Sequence, residues 1–294
     1  MGKQRLLITG ASGFLGWHLC ELAAPTWQVI GVCRAHPIHV DSVEHVSTDL
    51  SNPLQIKRLF DDTKPDAVVH AAAASDPNFC QQNPDESRKI NVEAPAAIAA
   101  LCADLGLPLA VLSSDLVFDG RNSPYAEDDP VNPVNQYGEH KAAAEEMVRS
   151  RHPGALVCRM PLMFGFTGSN LKAFDDQIIR AIRGNERIDL FVDEFRTPVD
   201  ARSAARGILQ FLDKKSGFLH LGGRERLSRY EMGVRIARHM GVDNAGIVPI
   251  HQNERPMPAA RPPDVSLDSA KAFALGYAPL NFREAINERV QGVE

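Results

Sequence analysis

Tyr137 and Lys141 stand four residues apart in YGEHK, so on a helix they share one face. A phenol, with an ordinary pKa of about 10, exchanges protons poorly at neutral pH unless a nearby cation stabilises the phenolate. Lys141 supplies that cation. Ser114, which ends PLAVLSS, can hydrogen-bond a substrate carbonyl and orient it toward Tyr137, which would give its proton as a hydride arrives. Taken alone, the Tyr-Lys spacing is better read as a capped helix start with a lysine on its wet face. A glycine loop upstream, the Ser-Ser strand end and Tyr-Lys at the next helix start together favour the acid–base reading.

These residues need a frame. TGASGFLG spans residues 9–16 and spaces Gly10, Gly13 and Gly16 as G-x-x-G-x-x-G between the first strand and the helix that follows Gly16. Such glycines permit a tight turn and close approach of backbone to a pyrophosphate, whose charge suits the helix N-terminus. The junction is the context that confirms a dinucleotide site, with Ser12, Phe14 and Leu15 in the same loop. An enzyme preferring NAD places an acid about 20 residues further on, at the end of the second strand. Here that strand ends VIGVCRAH, with Arg34 in the acid's place. A guanidinium suits a 2′-phosphate, with Ser12 and His36 able to assist, so the expected cofactor is NADP. Arg34 can also be read as a solvated strand end. Asp49 and Leu50 end the third strand beside the adenine, unless Asp49 only caps the next helix.

Short runs such as RLLIT, WQVIGVC, EHVST, DAVVHAAA, PLAVLSS and ALVCRM alternate with helical segments through the first half. Runs of Val, Ile, Leu and Ala without polar alternation suit strands covered on both faces. The expected fold is therefore α/β, a doubly wound parallel sheet (Rossmann fold) with a smaller C-terminal α/β substrate-binding lobe. Residues 1–160 form the NADP-binding domain and 161–294 mainly the lobe, with some segments returning to the core. Helices are expected at 171–183, 201–213 and 228–240, a strand at FLHL, and an ordered covering loop at PMPAARPPDVSLD. His70 ends the fourth strand and reads as a satisfied strand-end histidine.

The 294 residues carry a formal net charge of −5 with acids and bases well mixed, which argues against nucleic acid as a partner. No stretch approaches the roughly 20 apolar residues of a membrane span, nor does the start resemble a signal peptide. Cys20, Cys33, Cys80, Cys102 and Cys158 are scattered singly, as reduced buried thiols would be. A cytoplasmic protein is expected.

TGASGFLG, HAAAA, SSDLVFDG, YGEHK and RPPDVSLDSAKAFALGYAP together resemble the extended short-chain dehydrogenase/reductase superfamily over nearly the whole chain. Within it SSDLVFDG is most similar to the dTDP-4-dehydrorhamnose reductases and the related regulatory beta subunit of methionine adenosyltransferase, where the segment usually reads STDYVFDG or SSDYVFDG. The resemblance implies Ser114, Tyr137 and Lys141 as a catalytic triad, with Lys141 also holding the nicotinamide ribose. It implies that Ala71, Ala72 and Ala73 and the backbone near Pro161 line the cofactor, and that Asn91 orders a carbonyl or water near the site. Arg261 of RPPD occupies the position that contacts a substrate diphosphate in several relatives, unless it only ties down the proline loop; Arg196 in FRTPVD is a second candidate. The implied activity is NADPH-dependent reduction of a keto group in a nucleotide sugar. An epimerase, or an NADP-binding regulatory subunit without turnover, are the alternatives. Related dehydratases carry Asp-Glu after the Ser or Thr, where this chain has Asp115-Leu116, so dehydration is not expected; Leu116 also replaces the reductases' usual tyrosine. His18 follows Trp17 where bacterial relatives have a metal-linked Glu, so no metal is expected. Superfamily relatives are often dimers, which makes a homodimer the assembly to consider.

Overall fold

The computed structural model describes residues 2–35, 40–165, 173–243 and 246–291. Strands β1 (Arg5–Thr9), β2 (Gln28–Cys33), β3 (Val43–Ser47), β4 (Ala67–His70), β5 (Leu109–Ser114) and β6 (Leu156–Met160) join Gly217–His220 in one sheet. Every pairing in it is parallel. The order from one edge is Gly217–His220, β6, β5, β4, β1, β2, β3, so the winding reverses between β1 and β4. Ligands of such sheets bind beyond the strands' carboxyl ends at that reversal.

Successive side chains of a strand point to opposite faces, and both faces here are covered. Leu6 and Ile8 pack toward α1 (Phe14–Ala23) and the helix Ala201–Phe211. Leu7 packs toward α2 (Pro53–Thr63) and the helices Ala94–Leu105 and Gln136–Arg151. Each fully buried Leu or Ile contributes about 1.5–3 kcal/mol relative to exposure, which is why the first-half strands read as unbroken apolar runs. The helix Ala201–Phe211 and the strand Gly217–His220 come from the second half of the chain yet complete the sheet layers of the first.

The remaining second half builds its own core around Phe164, Ile178, Leu190, Met232, Ile236 and Phe282. Its helices Phe174–Gly184 and Arg229–His239 fall near the expected spans, although residues 171 and 172 lie outside the described residues. Three short pairings hold it together: Ile188–Phe191 with Ile247–Ile250, Phe195–Arg196 with Leu227–Ser228, and Met163–Phe164 with Val199–Asp200. Phe118 stacks on Tyr125 at 4.1 Å within a small cluster that includes Val265 and Leu267, so VFDG is joined to the RPPD loop. Among the described residues no helix is long and apolar enough to cross a membrane. All five cysteines are free and buried.

Candidate active site

One correction to the sequence reading concerns the glycine loop. The first helix begins at Phe14, not after Gly16. Gly16 lies in its first turn, where a Cβ would strike the Gly10 carbonyl oxygen. Gly10 itself has φ +68°, and a Cβ there would come within 2.7 Å of the Ala72 backbone. The loop therefore folds against the end of β4, and only glycine fits at both contacts. Gly13 occupies the N-cap and provides no side-chain cap, so the first-turn N–H groups of α1 are free to meet an anion.

That helix start opens onto a cavity of about 680 Å³, a volume typical of ligand sites. Its near wall is Gly10, Ser12, Gly13, Phe14, Leu15 and Gly16, with Ala71, Ala72 and Ala73 opposite. Arg34, Asp49 and Leu50 line one end; Ser114, Tyr137, Lys141 and Pro161 line the other. Arg34 is exposed and lines the cavity. His36, expected to assist it, lies outside the described residues. Asp49 does not cap α2, since Asn52 accepts from Leu54 N at 3.0 Å in that role. The Asp49 carboxylate instead accepts from the backbone and hydroxyl of Ser51, at 3.0 and 2.7 Å. Those bonds, with Arg34 nearby, hold it below the usual carboxylate range.

At the far end, β5 delivers Ser114 and the helix Gln136–Arg151 delivers Tyr137 and Lys141. Asn135 caps that helix, accepting from Gly138 N at 2.9 Å, and its amide donates to Ala260 O at 2.9 Å, which ties the helix start to the proline loop. A Cβ on Gly138 would run into the Leu116 carbonyl, so glycine lets the helix lie directly on the chain beyond β5. Tyr137 and Lys141 do not face water. They continue inward the stripe of Ala144 and Val148, all of them buried. Catalytic residue types thus occupy core positions, which is why their spacing taken alone reads as a polar surface turn.

The Lys141 ammonium donates to Leu112 O at 2.8 Å and sits 5.9 Å from the centre of the Tyr137 ring. Burial pushes it down to about 8, with Glu145 pulling the other way. Burial pushes the Tyr137 phenol above its ordinary value, and the Asp115 carboxylate adds to the rise. Before any ligand is bound, then, Lys141 does not make Tyr137 a phenolate; the phenol keeps its proton. Ser114 Oγ donates to Asp115 Oδ1 at 3.0 Å and accepts from Leu116 N at 3.2 Å.

Supporting residues complete the walls. Asn91, in the π-helical turn Lys89–Glu93, accepts from Ala74 N at 2.9 Å and donates to Ala74 O at 3.0 Å, fixing the alanine wall. His70 bonds Thr9 Oγ1 at 2.8 Å, and Ala72 N donates to that same hydroxyl. Burial with Lys141 nearby lowers the imidazole to about 3, leaving it neutral. Glu145, one turn beyond Lys141, forms a bidentate pair with Arg159 at 2.9 Å through both oxygens, anchoring the helix to β6.

Neither arginine expected at a substrate lines this cavity. Arg196 is a correction: it is 3% exposed, and its guanidinium is committed to Asp115 at 3.3 Å, Glu194 at 3.2 Å and its neighbour's Phe195 carbonyl at 2.8 Å. Arg261 is half-buried and among the described residues donates to neutral acceptors, Ala259 O at 3.3 Å and Asn78 Oδ1 at 3.2 Å. The cavity also reaches Asp76, Phe79, Glu86 and Met163, which carried no motif or periodicity by which sequence could mark them. Among the described residues no group of three or more His, Cys, Asp or Glu side chains is arranged to hold a metal ion.

Comparison with known proteins finds curated relatives across most of the chain. Methionine adenosyltransferase 2 subunit beta of Mus musculus is 31% identical, covering 97% of this chain and 87% of the relative. The probable low-salt glycan biosynthesis reductase Agl14 of Haloferax volcanii is 30% identical, covering 89% of this chain and 88% of the relative. Among solved structures, a dTDP-4-dehydrorhamnose reductase of Clostridium acetobutylicum superposes with a TM-score of 0.85 at 26% identity, covering 99% of each chain. A dTDP-4-dehydrorhamnose reductase of Bacillus anthracis in complex with NADP shares the fold at a TM-score of 0.87 and 22% identity, covering 99% of this chain and 100% of that one. The family model described as RmlD substrate binding domain matches residues 4–294, and the chain belongs to that family.

Proposed function

We propose that the chain reduces a keto group of a nucleotide sugar with NADPH, Tyr137 giving the proton, Ser114 holding the reacting oxygen and Lys141 supporting the phenolate left behind. The observation that carries this reading is one continuous cavity with an uncapped helix N-terminus along its near wall and Ser114, Tyr137 and Lys141 at one end. The residues fit the cofactor: the glycine loop accommodates a pyrophosphate, and Arg34 at the opposite end suits a 2′-phosphate. NADPH bound there would supply the hydride. At neutral pH the buried phenol retains a proton to give, and Lys141, titrating at about 8, is still largely an ammonium beside it. Arg261 is assigned to the substrate's diphosphate, because among the described residues its hydrogen-bond acceptors are neutral, with the charges of Glu194 and Asp76 acting on it from further away. Five buried free thiols suit a reducing, cytoplasmic setting.

The test is NADPH oxidation with a panel of keto-sugar nucleotides. Turnover that Tyr137→Phe lowers by roughly 10²–10⁴ supports the assignment; undiminished turnover in that variant removes Tyr137 from it. A second reading is favoured by the relatives named as a methionine adenosyltransferase subunit. In it the chain binds NADP and regulates a partner enzyme without turnover. Tight NADP binding, no oxidation with any member of the panel and co-purification of a methionine adenosyltransferase would select that reading. Light scattering gives the oligomeric state, for which a homodimer is the first expectation.

A further inference from the structure

A serine hydroxyl carries one proton, so Ser114 can donate to only one acceptor at a time. In the structure that proton goes to Asp115 Oδ1 at 3.0 Å, while Leu116 N–H fills one lone pair of the oxygen. The proposed reaction needs the same proton at the reacting oxygen, on the side of Tyr137. Asp115 is 3% exposed, and its second oxygen faces Arg196 Nε at 3.3 Å without forming a hydrogen bond. Beyond it Glu194 takes Arg196 at 3.2 Å and Arg229 at 2.9 Å. A buried row of alternating charges thus runs from the C-terminal lobe to the serine at the end of β5.

We propose that Asp115 is a positioning residue of this site, its carboxyl fixed by Arg196 and deciding whether the Ser114 hydroxyl meets the reacting oxygen as a donor or as an acceptor. The inference rests on the reading of Ser114 and Tyr137 as the proton-transfer pair. As a carboxylate, Asp115 keeps the serine proton and Ser114 offers the cavity only a lone pair. As a carboxylic acid, having taken a proton from solvent, Asp115 donates to Ser114 Oγ, and the serine proton turns to the reacting oxygen. The acid form is the one that polarises a carbonyl. Both forms are within reach because the groups around Asp115 oppose each other: burial and Glu194 raise its pKa, whereas Arg196, Arg229 and the Ser114 hydrogen bond lower it. Tyr137 faces it across the serine and feels its charge.

Asp115→Asn separates the possibilities. With its amide oxygen toward Arg196, the NH₂ group must point at Ser114 Oγ, which locks the serine as a donor. Wild-type kcat/KM for the keto-sugar nucleotide should fall roughly tenfold or more as pH rises through the ionisation of Asp115. In Asp115→Asn that fall should vanish. In a Ser114→Ala background Asp115→Asn should change the rate much less than it does with Ser114 present, leaving only the direct effect of its charge on Tyr137. A wild-type pH profile retained in Asp115→Asn, or a uniform loss at every pH, would overturn the proposal. A readout independent of turnover is the titration of Tyr137 in ¹³C-tyrosine-labelled protein, its signal assigned with Tyr137→Phe. Its midpoint should drop in Asp115→Asn, and an unmoved midpoint overturns the proposal even where activity is low. Absence of wild-type turnover on the whole panel would bring down the reductase reading alone, leaving the titration to decide on Asp115.

Discussion

Lys141→Met should make the ligand-free protein more stable while disabling it. Lys141 is buried, with one hydrogen bond, to Leu112 O. Its pKa falls from 10.5 to about 8 on folding. A folded-state value lowered in this way means that the unfolded chain binds the proton more tightly. Stability is therefore reduced below about pH 8 and recovers as pH rises toward 10.5. The difference of about 2.5 in pKa, at 1.36 kcal/mol each, is about 3 kcal/mol against the folded state at pH 7. Methionine fills the same space without charge, and losing the bond to Leu112 O costs about 1 kcal/mol. The net expectation is a variant about 2 kcal/mol more stable than wild type at pH 7. Urea unfolding of both proteins without cofactor, at pH 7 and pH 10, measures it. The gap should shrink by about 2–3 kcal/mol at the higher pH, where the wild-type lysine has lost its proton. Groups common to both proteins cancel in the comparison. A variant less stable than wild type at pH 7, with a gap indifferent to pH, would refute the claim that burial destabilises this ammonium.

Three other substitutions have expected outcomes. Arg34→Ala should weaken NADPH binding about 10- to 100-fold, the worth of one or two charge-assisted bonds, and leave NADH binding nearly unchanged; titration calorimetry with both cofactors decides. Gly138→Ala would normally stabilise a helix by up to about 1 kcal/mol, but here the new methyl meets Leu116 O and lies 2.8 Å from Pro133 Cβ. A loss of about 1–3 kcal/mol in thermal or urea unfolding is expected instead, together with reduced turnover as the helix shifts. Glu145→Ala leaves Arg159, 2% exposed, without its carboxylate, and should cost about 3–5 kcal/mol by urea unfolding. Replacing both members of that pair by apolar residues of similar volume should recover much of the loss.

The parallel sheet was legible because its strands are buried on both faces, so Leu6, Leu7 and Ile8 form one apolar run although they serve two different layers. The six short lobe strands were not. Pairs such as Phe195–Arg196 with Leu227–Ser228 are only two residues long and are fixed by partners distant in sequence, so no periodicity can develop. The cavity followed from motifs because its walls come from strand ends and helix starts, where glycine, serine and tyrosine have local reasons to occur. Arg196 was misplaced for a converse reason. An arginine in a loop reads as accessible, whereas the short strand it occupies turns it inward to Asp115 and Glu194. Asp115 was noticed only as the residue that excludes a dehydratase pattern, since its bond to Ser114 depends on a one-turn helix that the sequence does not announce.

Burial shifts the two ionisable groups of the proposed pair in opposite senses, the phenol up and the ammonium down. That asymmetry bears on the direction of the chemistry. An oxidation or an epimerisation begins by removing a hydroxyl proton, so the base must exist before the first step. Here the phenolate is disfavoured at rest by its burial, and Lys141 alone does not reverse this. A reduction begins instead with the phenol carrying its proton, the state this site already holds, and needs the ammonium only once the proton has left. At pH 7 Lys141 is still mostly charged for that moment. The same burial that raises the cost of the phenolate removes water from around it, so Lys141 acts on it across a low dielectric. On the proposed reading the ligand-free site is therefore set to give a proton rather than to take one, which is the order of events a reduction requires.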